Sequence, residues 1–270
     1  MTPMTESLTE PASDGAVKSA DRALTILDVI GQRGTIKVAE LVSLLGLPRS
    51  SAHGLIQTLL SRGWLEQNAS SRELSLGFRA WELGQHYAGH HDLLSATKPV
   101  MATLAQQVGE TVQLARLDGL ENVYIAISES PQPMRLASSV GLRLPSHSTG
   151  IGKALLSQLD PDEVKRRLAG AHLQTFTAHT ISSSEELVEV IDRARIEGYG
   201  EDNEEYQLGC RCVAVPLRLP TVTASHPILT ALSITAPLFR CGPDWPQSPL
   251  TALRAAVQAL GGLRQMLPKS

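Results

Sequence analysis

Apolar residues recur at helical spacing three times near the start of the chain. In "VKSADRALTILDVI", Val17, Ala20, Leu24, Leu27 and Ile30 form one stripe, and Gly31 predicts the stop. Val38, Leu41, Val42 and Leu45 make a second, shorter helix that ends at Gly46. Pro48 then opens a third helix over 48–62, because proline in a first turn gives up no needed donor. In that stretch, "GLPRSSAHGLIQTLLSRGWL", the apolar face is Ala52, Leu55, Ile56, Leu59 and Leu60. After it, "WLEQ" and "ELSL" alternate as two short strands around the turn-rich "NASSR". Three helices followed by a hairpin predict a winged helix-turn-helix unit over 16–78.

Beyond this unit, "FRAWELGQHYAGHHDL" predicts a longer linker helix over 79–92. From Leu93 onward the pattern mixes periods. "ETVQLARLDGLENVYIAIS" reads as strand, turn and strand, and "PMRLASSV" as a further strand. "GKALLSQL", "DEVKRRL" and "SSSEELVEVIDRARIEG" read as helices, the last with a Ser/Glu opening of capping-box type. "CVAVPLRL" and "ILTALSIT" are strands, and "PLTALRAAVQALGGLRQML" closes the chain as a helix. The fold class is therefore α+β, with a second, α/β sensing-type domain over 93–270. Residues 1–15, polar and without periodicity, are expected to be a disordered tail.

Composition changes this picture in two places. The chain of 270 residues has a formal net charge of −3, which argues against a polyanion partner until it is counted locally. Between Val17 and Ala80, eight lysines and arginines stand against five acids, whereas from Leu93 to Ser270 sixteen stand against seventeen. The first unit is thus mildly basic, which permits phosphate contact without proving it. Three cysteines, Cys210, Cys212 and Cys241, make no disulfide framework, and no signal peptide or membrane-length apolar run is present, so a cytoplasmic protein without membrane contact is expected.

Six stretches in order carry a resemblance to the IclR family of bacterial transcription regulators. They are "ADRALTIL", "LLGLPRSSAHGLIQTLLSRGWLE", "GETVQLA", "VGLRLPSHSTGIGKALL", "RIEGYGEDNEEYQLGCRCVAVPL" and "ALSIT". The resemblance implies a winged helix that binds double-stranded operator DNA as a homodimer, a linker helix, and a GAF-like domain that binds a small organic acid and pairs dimers into homotetramers. It also implies no enzymatic activity and no cofactor. Effector binding would then shift the population competent for DNA.

On this reading the helix over 48–62 enters the major groove, with Arg49, Ser50 and Ser51 near its start and His53 and Gln57 further along. Arg72 in the wing reaches the backbone or the minor groove. An isolated helix with these residues is read equally well as an amphipathic helix with a solvated back; the adjoining helices and hairpin favour the DNA reading. Two positions depart from the family pattern. Gly54 stands where many members carry a long basic side chain, and Lys37 where a Ser or Thr cap is usual, which suggests that the second helix begins nearer Thr35.

"HSTGIGKALL" opens a helix with two glycines, so N–H groups near Gly150 and Ile151 can receive a carboxylate. It is not a P-loop, since His147 replaces the first glycine and Ala154 follows Lys153. By resemblance, Asp202, Cys212, Ser233 and Thr235 complete the effector site, with Leu136 and Cys210 as apolar wall. Asp202 beside an anion would accept a ligand hydroxyl or be protonated when bound. Three alternatives compete. Cys210 and Cys212 with His90, His91, His172, His179 or His226 suggest a metal site, but no second pair has ligand spacing. His147, Ser148 and Asp202 suggest a hydrolase, but no nucleophile elbow is present. The Thr- and Pro-rich "LRLPTVTASHP" near the site strands suggests a domain that has lost its ligand and acts only in oligomerisation.

Overall fold

The computed structural model describes residues 17–86, 91–218 and 228–265. The chain divides into two compact units, Met1–Ala88 and Gly89–Ser270. The expected tail, the middle of the expected linker and all but the first two residues of "LRLPTVTASHP" lie outside the described residues.

The first unit runs α1 Lys18–Arg33, β1 Ile36–Lys37, α2 Val38–Leu44, α3 Arg49–Ser61, β2 Leu65–Gln67, β3 Glu73–Leu76 and α4 Phe78–Gln85. Helix α1 continues past Gly31, contrary to the pattern-based stop. Burial of Ile26, Val29 and Ile30 holds the last turns, and the chain leaves the helix at Gly34, whose φ of 76° suits glycine. Ile36 and Lys37 then pair with Leu74 and Glu73 of β3. That pairing claims them for a strand, so α2 begins at Val38 and not near Thr35. The core joins Ile26, Val29 and Ile30 to Leu41, Ile56, Leu59, Leu65 and Leu74. Strands β2 and β3 form the wing, its tip held by Asn68 Oδ1, which accepts the N–H groups of Ser70 and Ser71 at 2.9 and 3.0 Å.

The second unit is built on α5 His91–Val108, β4 Thr111–Asp118, β5 Glu121–Ser128, β6 Arg143–Pro145, α6 Gly150–Leu156, α7 Pro161–Leu168, α8 Ser184–Glu197, β7 Gly200–Asn203, β8 Cys210–Leu217, β9 Thr230–Pro237 and α9 Gln247–Gln265. The strands make one antiparallel sheet in the order β6-β5-β4-β9-β8-β7. Met101 and Leu104 of α5 and Leu253 and Leu260 of α9 pack on one face with Leu114, Val213, Val215, Leu232 and Ile234. Ile151, Leu155 and Leu156 of α6 and Leu187 and Ile191 of α8 pack on the other, against the small Ala115, Ala214 and Ala231. Where β4, β9 and β8 adjoin, bulky residues line the α5/α9 face, whereas Ala115, Ala214, Ala231, Gln113 and Ser233 line the other, with the bulkier Leu117, Tyr124 and Leu144 toward β5 and β6.

Two expectations are corrected. The helical pattern does not end near 92: α5 runs to Val108 through Pro99. An interior proline costs about 3 kcal/mol, here offset by the packing of α5 on the sheet. No strand forms across "PMRLASSV", since Pro131 and Pro133 lack a ladder donor and the chain turns at Ser139, which accepts the N–H of Leu142 at 3.1 Å. Asp202, expected in the effector site, lies in β7, where residues 200–203 pair with β8.

Candidate functional site

In the first unit, the buried stripe of α3 is Ala52, Ile56 and Leu59. Arg49, Ser50, Ser51, His53 and Gln57 are exposed, as is Arg72 on the wing, held at a φ of 60°. No side chain caps α3 at its start, where Pro48 is the N-cap, so its first N–H groups stay open to an anion. Neither Arg49 nor Arg72 forms an ion pair among the described residues, unlike Arg33, which meets Glu40 at 2.7 Å. A hollow of about 380 Å³ brings His53 and Gln57 of α3 together with Gln67, Ser71 and Arg72 of the wing, and with Lys37. A second, of about 600 Å³, sets Ser50, Ser51 and Gly54 beside Lys18 and Arg22 of α1. The sequence does not nominate Lys18, Arg22 and Lys37 for this surface, because they belong to α1 and β1 and meet α3 only in the fold.

Gly54 is exposed at the centre of the outward face of α3, and a Cβ built there meets nothing within 4 Å. Gly54→Ala is therefore expected to stabilise the unit by about 1 kcal/mol through helix propensity alone. Calorimetric melting of the two proteins checks this; an unchanged or lower melting temperature would show that the backbone here needs glycine.

In the second unit, close packing places the start of α6. A Cβ on Gly150 would lie 2.9 Å from the Cys212 carbonyl oxygen, on Gly152 2.2 Å from Ser146 Cα, and on Gly200 2.4 Å from the Gly150 carbonyl oxygen. Only glycines allow the helix this near the strands. The Ile151 N–H is directed at the Cys212 sulfur, which the Ser233 and Thr235 hydroxyls also reach. Burial pushes the Cys212 thiol up to about 12, with the Asp202 carboxyl adding to it, and burial likewise raises Cys210. Both thiols stay protonated and are poor nucleophiles.

Asp202 is opposite Cys212 across the strand pair, and its Oδ1 accepts the Glu205 N–H at 2.7 Å. Burial pushes its carboxyl up to about 7, and Glu205 raises it further, against the N–H groups of Glu205 and Tyr206 and the Lys153 ammonium. The structure thus brings Gly150, Ile151, Asp202, Cys210, Cys212, Ser233 and Thr235 to one side of the sheet. Leu136 stands apart, half-buried in the irregular segment and in neither apolar cluster of this unit.

The residues of the hydrolase alternative are each engaged elsewhere: Ser148 donates to the Pro145 carbonyl at 3.3 Å, His147 Nε2 meets the Gln174 carbonyl at 2.9 Å, and Asp202 holds the Glu205 N–H. Among the described residues no group of three or more His, Cys, Asp or Glu is placed to hold a metal ion.

Comparison with known proteins meets this geometry at both units. Residues 19–69 match the IclR helix-turn-helix domain, and residues 85–261 match the C-terminal domain of the bacterial transcriptional regulator IclR. The chain belongs to the IclR family. Among its relatives, the HTH-type transcriptional regulator KdgR of Escherichia coli is 34% identical over 91% of this chain and 92% of its own length. XynR of the same organism is 37% identical over 74% of this chain and 80% of its own. A solved IclR homologue from Microbacterium hydrocarbonoxydans, complexed with 4-hydroxybenzoate, superposes with a TM-score of 0.78 at 24% identity, covering 92% of this chain and 99% of that one. As an IclR-family regulator, the chain combines a DNA-binding helix-turn-helix domain with a C-terminal effector-binding domain.

Sequence reasoning missed three residues of this IclR-type C-terminal unit. Gln113 of β4 is buried and its Oε1 accepts both the Ser233 hydroxyl at 2.9 Å and the Thr235 hydroxyl at 3.1 Å. Lys153 is buried, donates to the Glu201 carbonyl at 2.9 Å and pairs with the buried Glu205. The period-2 pattern of "TVQLARL" did mark Gln113 as a polar residue on a face shared with Ala115. Nothing local marked Lys153, whose partner is 52 positions away.

Proposed function

We propose that this regulator binds operator DNA through Arg49, Ser50, Ser51, His53 and Gln57 of α3 and Arg72 of the wing, and that a small organic acid in the C-terminal unit controls its occupancy of that DNA. The effector residues are Gly150, Ile151, Asp202, Cys210, Cys212, Ser233 and Thr235, with Leu136 as part of the wall. The observation that supports this most is the buried polar cluster on the α6 face. Cys212, Ser233 and Asp202 are buried polar groups where an ordinary core would place apolar ones, and the half-buried Thr235 adjoins them. The 4-hydroxybenzoate held by the Microbacterium hydrocarbonoxydans homologue is itself an organic acid.

The protein acts in the cytoplasm as a homodimer that pairs into homotetramers, without catalysis and without a membrane partner. Among the described residues no helix is long and apolar enough to cross a membrane. Selecting operator sequences from a random duplex library and then measuring their occupancy in the presence of organic acids tests the whole reading. Sequence-selective binding that an acid changes supports it; binding that no acid changes overturns the effector half.

Two variants refine it. Arg49→Ala is expected to weaken operator binding and to lower the slope of log affinity against log salt by about 1, the signature of one lost phosphate contact. An unaltered slope removes Arg49 from the backbone contacts. Ser233→Ala is expected to blunt the response to the acid while leaving operator affinity in its absence intact. Loss of both together indicates a folding defect.

A further inference from the structure

The two hollows of the first unit lie along opposite flanks of α3. Ser51 and Leu55, one turn apart, line the hollow shared with Lys18, Ser19 and Arg22 of α1. His53 and Gln57, also one turn apart, line the hollow shared with Lys37 of β1 and Arg72 of the wing. Gly54 stands between the two rows, at the centre of the outward face. Residues four apart share a helical face, so each row is a continuous edge of α3 facing a different element.

Charge is sorted onto these edges. Between Val17 and Ala80 the chain has eight lysines and arginines and five acids. Lys18, Arg22, Lys37 and Arg72 line the hollows, whereas none of Asp21, Asp28, Glu40, Glu66 and Glu73 does. The acids of the wing and of α2 are engaged elsewhere: Glu40 meets Arg33 at 2.7 Å, Glu66 accepts the Phe78 N–H at 3.2 Å, and Glu73, opposite Lys37 in register, accepts the Ser71 hydroxyl at 3.0 Å. The ion pairs of this unit join Arg33 to Glu40 and Arg79 to Glu82, and among the described residues none of the four lining cations forms one. Lys18 and Arg22 are also four apart on α1, where like charges repel. An arrangement that keeps cations together and acids away is made for an anion from outside the chain.

The dimensions say which anion. An α-helix with its side chains is about 10–12 Å across, and the major groove of B-DNA is about 12 Å wide. A helix seated there fills the groove and turns its two flanks to the two phosphate strands that border it. We propose that the hollows seat opposite backbone strands of the operator: Lys18 and Arg22 hold phosphates of one strand, and Lys37 joins Arg72 on the other. The four cations clamp α3 in the groove without reading sequence. Gly54, where a built Cβ meets nothing within 4 Å, leaves the space between the rows open, so the helix backbone approaches the groove floor and the α1 cations reach their strand. The inference rests on α3 as the helix that enters the groove, and adds three residues from elements outside it.

The test uses the full-length protein and a duplex selected from the random library. Lys18→Gln combined with Arg22→Gln, the α1 variant, is compared with Lys37→Gln combined with Arg72→Gln, the wing variant. Each is expected to weaken the selected duplex and an unrelated one by the same factor, about tenfold or more, and to lower the slope of log affinity against log salt by about 2 for each half-site engaged. Strand assignment is read with duplexes in which neutral methylphosphonates replace the phosphates bordering a half-site, one strand at a time. The native protein is expected to lose affinity when either strand is neutralised, the α1 variant with only one of them and the wing variant with only the other. An unchanged slope in the α1 variant overturns the role of Lys18 and Arg22, while selective binding by the native protein leaves the reading of α3 standing. A loss confined to the selected duplex marks base readout and overturns the phosphate role. Sensitivity of both variants to the same strand overturns the two-strand placement. If the native protein selects no duplex at all, the reading of α3 and this inference fall together. Where the α1 variant melts below the native protein, Lys18→Gln alone, at an exposed side chain, takes its place, with an expected slope change of about 1; no change there overturns the proposal equally.

Discussion

Lys153→Met is expected to destabilise the protein by about 3–5 kcal/mol, because it strands a buried carboxylate. The Lys153 side chain is 2% exposed and that of Glu205 10%. The ammonium bonds one Glu205 oxygen, while the other, Oε2, is buried without a partner. Removing the lysine therefore leaves both oxygens of a buried carboxylate without an opposite charge. Removing the two charges together is a different experiment. Lys153→Met combined with Glu205→Leu is expected to recover most of the lost stability, since well-packed apolar residues often replace a buried pair at little cost. Equilibrium urea unfolding of the native protein, both single variants and the double variant closes the cycle. A double variant as unstable as Lys153→Met alone would show that packing around α6, not the stranded charge, sets the loss. The pair also ties α6 to the loop that follows β7, where Thr177 and Thr180 hydroxyls hold the Glu204 and Glu205 carbonyls at 2.8 and 2.6 Å. Its loss would loosen the helix that carries Gly150 and Ile151.

The second large effect is a pH dependence centred on Asp202. Its carboxyl is raised to about 7 from the ordinary 3.8, chiefly by burial. The groups around it are Glu205, Lys153, Cys210, Cys212 and Tyr124. Below pH 3.8 the folded and unfolded chains both hold the proton, and this contribution to stability is fully present. As pH rises from there to about 7, the unfolded chain gives up the proton and the folded one keeps it, so stability falls. Above 7 both are ionised and the loss is complete, at roughly 4 kcal/mol as an upper figure from the difference between the two values. Asp202→Asn keeps an oxygen for the Glu205 N–H but cannot ionise. It is expected to match the native protein near pH 4 and to be the more stable by a few kcal/mol at pH 8. Urea unfolding at those two values decides it, and parallel pH profiles for the two proteins would place the Asp202 titration outside this range. An anionic effector beside Asp202 would favour its protonated form for the same electrostatic reason.

Much of this molecule was legible from its residues alone. The apolar stripes of α1, α3, α8 and α9 and the alternation in β5 each report a single buried face, and the apolar runs of β4, β8 and β9 report strands covered on both. The order of six quoted stretches was enough to suggest the family. What periodicity cannot record is which partner meets a face. Ile36 and Lys37 are a strand only because Leu74 and Glu73 come alongside, and Gly200–Asn203 only because β8 does. Pro99 reads locally as a helix breaker, yet the packing of α5 on the sheet carries the helix through it. Gln113 and Ser233 are 120 positions apart, and Lys153 and Glu205 are 52 apart. In sequence Lys153 looks like a solvated cation, and only burial turns it into half of an ion pair. By itself the sequence determined the helices, the main strands, the family and the chemistry on offer in each unit. The tertiary structure alone decided which donors meet which acceptors, because direction and desolvation exist only once distant strands have been brought into register.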